Sequence, residues 1–377
     1  MKKKSGFTLV EIIIAMAVTM VAMAAAVLLF RDSTKANSNV TQSSDMSDNL
    51  RAGLNLVVQD LIQTGTGIPT GGISIPNTVN AAGCNIGRPV NRPPTVLNLT
   101  FQGPNAANVG CNVILPAIEP GNSLGPTVLS PDGTSGPRTD IITIMYEDNT
   151  LALVQKAING ATCPAGQIAA DGSFIKFDAA CVTIGGAGIP VNPQDLLMIY
   201  NGNNPNGILQ TVTSVAGQQL NFAAGDAYNL NGRTTTETAG TIKQLQNLTA
   251  GVPNGTYPPT SATRIWMVTY YLDATTDAQH PMLMRAVNFN PPQPVAETLE
   301  NLQFAYNFAD GTKPAPVNQF VVPAVPAPAG DNENQIRSVN VYMSARSTTS
   351  AANPGKYVRT NLATQVALRS MAYFNTY

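Results

Sequence analysis

Residues 7–30, from Phe7 to Phe30, form one nearly unbroken apolar run, and no other feature constrains the chain as much. The run is 24 residues long, and a helix of that length, rising about 1.5 Å per residue, spans a hydrocarbon core of about 30 Å. Lys2, Lys3 and Lys4 precede it, and Arg31-Asp32-Ser33-Thr34 end it. That charge placement keeps the start in the cytoplasm and sends the remainder outward. One side chain breaks the pattern. Glu11 sits inside the apolar run, where an acid costs about 2.5–3.5 kcal/mol on insertion scales. A carboxylate there either has a partner and a function or lies close enough to the interface to snorkel.

Composition removes several function classes. The formal net charge is -1, so the broad positive field of a nucleic-acid binder is missing. Charged residues are 11% of the chain, under half of the about 25% usual in soluble domains. Hydrophobic residues are 44%, too many for a disordered chain. With 31 Gly and 28 Pro the sequence favours turns and strands over helix bundles. A single His, His280, rules out a site built on several histidines.

The four cysteines are Cys84, Cys111, Cys163 and Cys181, with no Cys-x-x-Cys pair among them. An even number in an exported chain fits two disulfides, with four buried thiols as the alternative. Pairing neighbours, Cys84 with Cys111 and Cys163 with Cys181, is one of three connectivities. It is favoured because each pair brackets a Gly/Pro/Asn-rich segment that buries too little to order itself. The loops span 27 and 18 residues, and closing each contributes about 3 kcal/mol in the chain-entropy account.

The basic start, Gly6, Phe7-Thr8-Leu9-Val10 and Glu11 together resemble the class III signal of type IV prepilins and pseudopilins. The resemblance implies that a membrane prepilin peptidase cuts after Gly6 and N-methylates Phe7. Gly6 has no side chain to obstruct the protease, and cutting there leaves the apolar anchor in place. Glu11 becomes the fifth mature residue, which in that family pairs with the N-terminal amine of a neighbouring subunit. Phe7 and Glu11 also stand at i, i+4, so a pairing within one chain is open as well. A secretory signal would need its small-residue site after the apolar run, whereas Ala24-Ala25-Ala26 lies inside it. Many major pilins carry a Pro in this segment; here the first Pro is Pro69.

Leu50, Leu54, Val57 and Leu61 recur at helical spacing, so the helix is expected to continue as an amphipathic stalk and to stop at Gly65, Gly67 and Pro69. Residues 35–48 are polar and poor in helix formers, which predicts a weak or broken stretch. From about 66 to 140 the chain reads as loops, with short apolar runs at 95–101 and 111–115. Strands are predicted at 140–146, 195–200, 208–215 and 220–222, the last three as a small meander around an Asn201–Gly207 turn. Further strands are predicted at 264–272, 282–287, 295–306 and 334–346. The order Tyr270-Tyr271, Met284-Arg285, Val295-Ala296-Glu297, Leu299–Tyr306 and Ile336–Arg346 resembles the C-terminal sheet of PilW-type minor pilins, with the J-type pseudopilins of type II secretion as near relatives.

The expected fold is α+β, a long N-terminal helix packed on an antiparallel β head. Its expected divisions are a leader at 1–6, a transmembrane and assembly helix at 7–30, its periplasmic continuation at 31–65, a loop-rich, cysteine-bearing insertion at 66–190 and the β head at 191–377. Gly185–Gly188 lacks the Gly-Lys-Ser/Thr of a P-loop. Glu147-Asp148, Asp331 and Glu333 read as solvated turn residues rather than metal ligands, and His280 as a turn residue. The Pro-rich stretch 314–328 reads as a loop. No catalytic, cofactor or metal site is expected. The resemblance implies a structural minor pilin in the inner membrane and then the fibre. Its implied partners are the peptidase, other minor pilins and a major pilin, met through the N-terminal helix. A J-type pseudopilin, an anchored surface adhesion module and an anchored enzyme are the alternatives.

Overall fold

The computed structural model describes residues 8–69, 72–76, 79–80, 83–84, 114–153, 167–179, 182–185, 188–226, 230–232, 240–246, 257–258, 260–288, 290–309, 311, 313, 333–348 and 357–372. The fold is α+β: a long, initially apolar helix followed by a head built of largely antiparallel sheets, with one parallel pairing at Ser74↔Ile208. Helix α1 runs from Leu9 to Gln63 without interruption. The break expected within 35–48 is not there. Helix propagation needs no new nucleus once both flanks are helical. One local bond lies within the stretch: Gln42 Nε2 donates to Ser38 Oγ (3.1 Å).

Residues 9–34 of α1 are exposed throughout, and α1 is the one helix, among the described residues, long and apolar enough to cross a membrane. The second half buries the expected stripe, Leu50, Leu54, Val57 and Leu61, together with Met46, Gly53 and Asp60. The helix stops where the glycines predicted. Gly65 and Gly67 take φ values of 82° and 70°, conformations that cost a glycine little. The turn then docks on the sheet, with Gly65 N–H donating to Met145 O (2.9 Å) and Glu147 N–H to Thr66 O (2.8 Å).

The principal strands are β1 (Ile118–Gly121), β2 (Ile141–Leu153), β3 (Leu196–Asn201), β4 (Asn204–Thr211), β5 (Thr260–Asp273), β6 (Met282–Val287), β7 (Gln293–Glu297), β8 (Leu299–Phe308), β9 (Ile336–Arg346) and β10 (Arg359–Ala367). The 14-residue β5 organises the larger sheet. Along one side it pairs with β2; along the other its first half pairs with β3 and its second half with β6. The sheet extends through β7, β4 and β1 and ends in the two-residue strands Ile73–Ser74 and Ile114–Leu115. It therefore draws strands from both sides of residue 190. The smaller sheet is β8-β9-β10.

Several strand expectations change. The segment 295–306 is not one strand. Thr298 adopts φ 58°, strained for a β-branched residue. Its carbonyl accepts the Arg346 N–H at 3.0 Å. The chain turns there, so β7 ends one sheet and β8 begins the other. The Asn201–Gly207 turn shrinks to Gly202-Asn203, because Asn201 Oδ1 accepts from the N–H groups of Asn203 (3.0 Å) and Asn204 (3.2 Å) and draws Asn204 into the strand. The meander is divided: Ser214–Ala216 and Gln219–Asn221 form a hairpin in a separate small sheet with Phe174–Lys176. Strand β10 was not expected at all. Residues 95–101 and the Pro-rich 314–328 lie outside the described residues.

Helix α1 joins the two sheets. A Cβ on Gly53 would stand 2.9 Å from Ala296 Cβ on β7, 3.3 Å from Leu283 Cδ2 on β6 and 3.6 Å from Met343 Cε on β9. The lone glycine between Gly6 and Gly65 thus marks a close approach of helix and head. A second core, with Phe177, Leu197, Ile199, Leu220 and Phe222, lies on the opposite face of β3. That strand is an unbroken apolar run because it is covered on both sides. Gly53→Val should destabilise the head by about 1–3 kcal/mol through overpacking. Denaturant unfolding of the purified chain checks this; an unchanged midpoint would contradict the close approach.

Candidate functional site

The first turn of α1 carries Glu11, the residue expected to matter for assembly. Thr8 is the N-cap, with extended backbone (φ -77°, ψ 151°). Its amide and hydroxyl both donate to Glu11 Oε2, at 2.8 and 2.9 Å. The Glu11 N–H donates back to Thr8 Oγ1 at 3.4 Å. This is a reciprocal capping box, in which an otherwise orphaned amide at the helix start is satisfied by the acid. Glu11 is therefore neither bare nor fully used. One oxygen holds the helix start, and among the described residues Oε1 receives no hydrogen bond, leaving it able to accept from a cation. Gly6 and Phe7 lie outside the described residues.

At the other end of the helix a buried ionic cluster fastens α1 to the head. Asp60 follows the apolar stripe and is 3% exposed. Its Oδ1 accepts from Tyr146 OH (3.1 Å) and Arg285 Nη2 (3.2 Å). Its Oδ2 accepts from Tyr270 OH (2.5 Å) and Arg285 Nε (2.7 Å). These partners come from β2, β5 and β6, so one carboxylate ties the helix to three strands. Burial first, and the Asp60 charge second, push both phenols well above the usual tyrosine range. Burial alone would lower Arg285, but the Asp60 carboxylate overrides it and holds the guanidinium charged. Sequence reading missed this cluster, although an acid in phase with Leu50, Leu54, Val57 and Leu61 was a visible signal. Asp60→Ala leaves Arg285 without its counter-ion and should cost about 3–5 kcal/mol. A thermal melt or denaturant titration of the purified chain measures it, and wild-type stability would refute the anchoring role.

Two further ionic groups brace the head. Arg264 on β5 binds Asp148 through Nε (2.9 Å) and Nη2 (2.5 Å) and reaches Asp195 (3.4 Å). Its guanidinium also lies 4.4 Å from the Trp266 ring centroid. Glu147-Asp148 is thus no solvated turn but part of β2, with Asp148 buried. Glu300 joins Arg346 (3.3 Å) and Arg359 (2.7 Å), and Arg359 also holds Asp132 (2.7 Å). His280 is in a turn as expected, its Nδ1 2.8 Å from Asp277 Oδ2. Among the described residues no group of three or more His, Cys, Asp or Glu is arranged to hold a metal.

Of the cysteines, Cys84 has only its backbone described, in a two-residue strand opposite Val79. Cys111, Cys163 and Cys181 lie outside the described residues, and the pairing of the four lies outside them too.

A scan of family models matches the prokaryotic N-terminal methylation motif over residues 1–27. No curated protein and no solved structure matches the chain. The matched motif, followed by a long apolar helix and a sheet-rich head, supports a pilin- or pseudopilin-type subunit. Chains with this motif are structural subunits processed by a prepilin peptidase and assembled with other pilins.

Proposed function

We propose that the chain is a minor pilin of the PilW type, a structural subunit that helps to start or build a type IV pilus at or near its tip. The observation carrying this reading is the methylation motif over residues 1–27, joined without a break to a 55-residue helix that ends clamped to a β head. In this reading the peptidase cuts between Gly6 and Phe7 and methylates Phe7. The apolar half of α1 anchors the chain in the inner membrane with its head in the periplasm, then enters the shared helical bundle of the fibre. Glu11 keeps its helix capped through Thr8 while its second oxygen accepts the cationic amine of a neighbouring Phe7. Such pairing offsets the cost of a carboxylate among apolar side chains.

Processing is checked by intact mass and N-terminal sequencing of the chain from cells that make the peptidase. The mature product should begin at N-methylated Phe7. It should have lost Lys2, Lys3 and Lys4, taking the formal charge from -1 to -4. A product that keeps Met1 to Gly6 would sink the reading. Recovery of the mature chain from a secretion pseudopilus rather than a pilus would place it with the J-type pseudopilins.

Glu11→Ala separates insertion from assembly. Removing the acid should leave membrane insertion intact or improved. Incorporation into filaments, measured on sheared fibres, should fall by about tenfold or more, the effect of losing about 1.4 kcal/mol of pairing. Normal incorporation would show that Glu11 has no assembly role.

A further inference from the structure

Among the described residues, the smaller sheet is covered along part of one edge and unpaired along the other. Outside β8, Asp140 N–H donates to Leu302 O (2.9 Å), Phe304 N–H donates to Asp140 Oδ2 (2.8 Å), and Gln303 Nε2 donates to Arg138 O (2.9 Å). Residues 138–140 thus occupy the middle of that edge, at Leu302–Phe304. Beyond β10 no strand pairs among the described residues.

Free sheet edges invite pairing, and proteins blunt them with proline, bulges, lysine or shortness. Three other edge strands of the larger sheet follow that rule. β7 carries Pro294 and a register shift, β1 carries Pro120, and Ile114–Leu115 is two residues long. β10 does not follow it. It pairs with β9 in unbroken register from Ser338↔Ala367 to Arg346↔Arg359. It contains no Pro, Lys or bulge, and residues 360–368 carry no charged side chain.

The register also says which backbone groups are free. Leu368 N–H donates to Arg337 O and Ser347 N–H to Val358 O, both at 2.8 Å. Hydrogen-bonded pairs recur at every second residue of an antiparallel ladder. Thr360, Leu362, Thr364 and Val366 therefore bond to β9, while Arg359, Asn361, Ala363, Gln365 and Ala367 turn their N–H and C=O groups outward. The row of side chains facing α1 is also incomplete at this edge. Thr360, Leu362 and Thr364 are only half-buried, whereas Val339, Val341 and Met343 on β9 are buried.

We propose that the β10 edge receives an extended, uncharged segment of a different filament subunit as a fourth strand of the sheet. Its β-branched or apolar side chains would face α1 and complete the row at Leu362; small or amide side chains would flank Ala363 on the outer face. A second copy does not fit. Two β10 strands joined antiparallel are related by a two-fold axis normal to the sheet. That axis would reverse α1 and send the two apolar segments in opposite directions. Copies stacked in one orientation would need a continuous free β8 edge, which residues 138–140 interrupt at Leu302–Phe304. The proposal rests on the subunit reading above for the class of partner.

Hydrogen exchange on the mature chain, free in detergent and within purified filaments, tests it. The outward amides of Asn361, Ala363, Gln365 and Ala367 should slow by about 100-fold or more on assembly. Equal rates in the two states would overturn the proposal. Ala363→Pro removes one outward N–H and none from the β9 ladder. Its incorporation should fall by about tenfold at an unchanged melting temperature, while Ala363→Ser, which keeps the N–H, incorporates normally. Normal incorporation of A363P overturns the edge proposal alone. A wild-type chain absent from filaments overturns it together with the subunit reading. Should A363P fail to fold, the exchange rates of the wild-type chain decide.

Discussion

The Asp60 carboxylate fixes how helix and head sit together. Four donors from three strands converge on its two oxygens, and the ion is out of water. An apolar stripe alone allows a helix to slide or rotate on a sheet, since one leucine contact replaces another at little cost. An acid that must meet Arg285, Tyr146 and Tyr270 allows one placement, because a shift by a turn leaves a buried charge without its counter-ion. Gly53 acts in the same direction by sterics. It brings α1 against Ala296, Leu283 and Met343 at once, so helix, large sheet and small sheet meet at one crossing.

Within the head, β5 plays the part of a spine. Its 14 residues are long enough for two shorter strands, β3 and β6, to share one side while β2 runs along the other. Tyr270 reaches Asp60 from its second half, and Arg264 gathers Asp148 and Asp195 in its first. The strand thus carries one end of each of two buried ionic clusters, which hold the sheet from both ends.

What the sequence disclosed was local. The apolar run, the stripe at Leu50, Leu54, Val57 and Leu61, and the stop at Gly65 and Gly67 depend on neighbours a few residues apart. So do the apolar strands, and all of these were legible. The capping box was legible as well, since Thr8 and Glu11 have its spacing, but the cost of an acid in lipid drew attention to distant partners first. Long-range choices were hidden. Nothing around Thr298 announces a left-handed residue, because a threonine is among the last expected to adopt one. β10, with its Thr, Asn, Ala and Gln, reads as loop because only its pairing with β9 makes it a strand. Residues 35–48 misled in the opposite sense: their propensity is poor, but continuity with strong flanks carries them. Asp60 stood in plain sight on the stripe, and its partners lie 86 to 225 residues away.

An unbroken α1 also behaves as a phase-locked shaft. Glu11 and Asp60 are 49 residues apart, about 13.6 turns at 3.6 residues per turn. The acid at the start therefore faces about 220° around the axis from the acid that grips the head. With the helix uninterrupted between them, the azimuth at which Glu11 would engage a neighbour in the proposed assembly would set the compass bearing at which the head is presented. Each residue added to or removed from the shaft would swing that bearing by about 100° and move the head about 1.5 Å along the axis. The polar stretch 35–48 thus serves as a spacer whose length sets an angle as much as a reach.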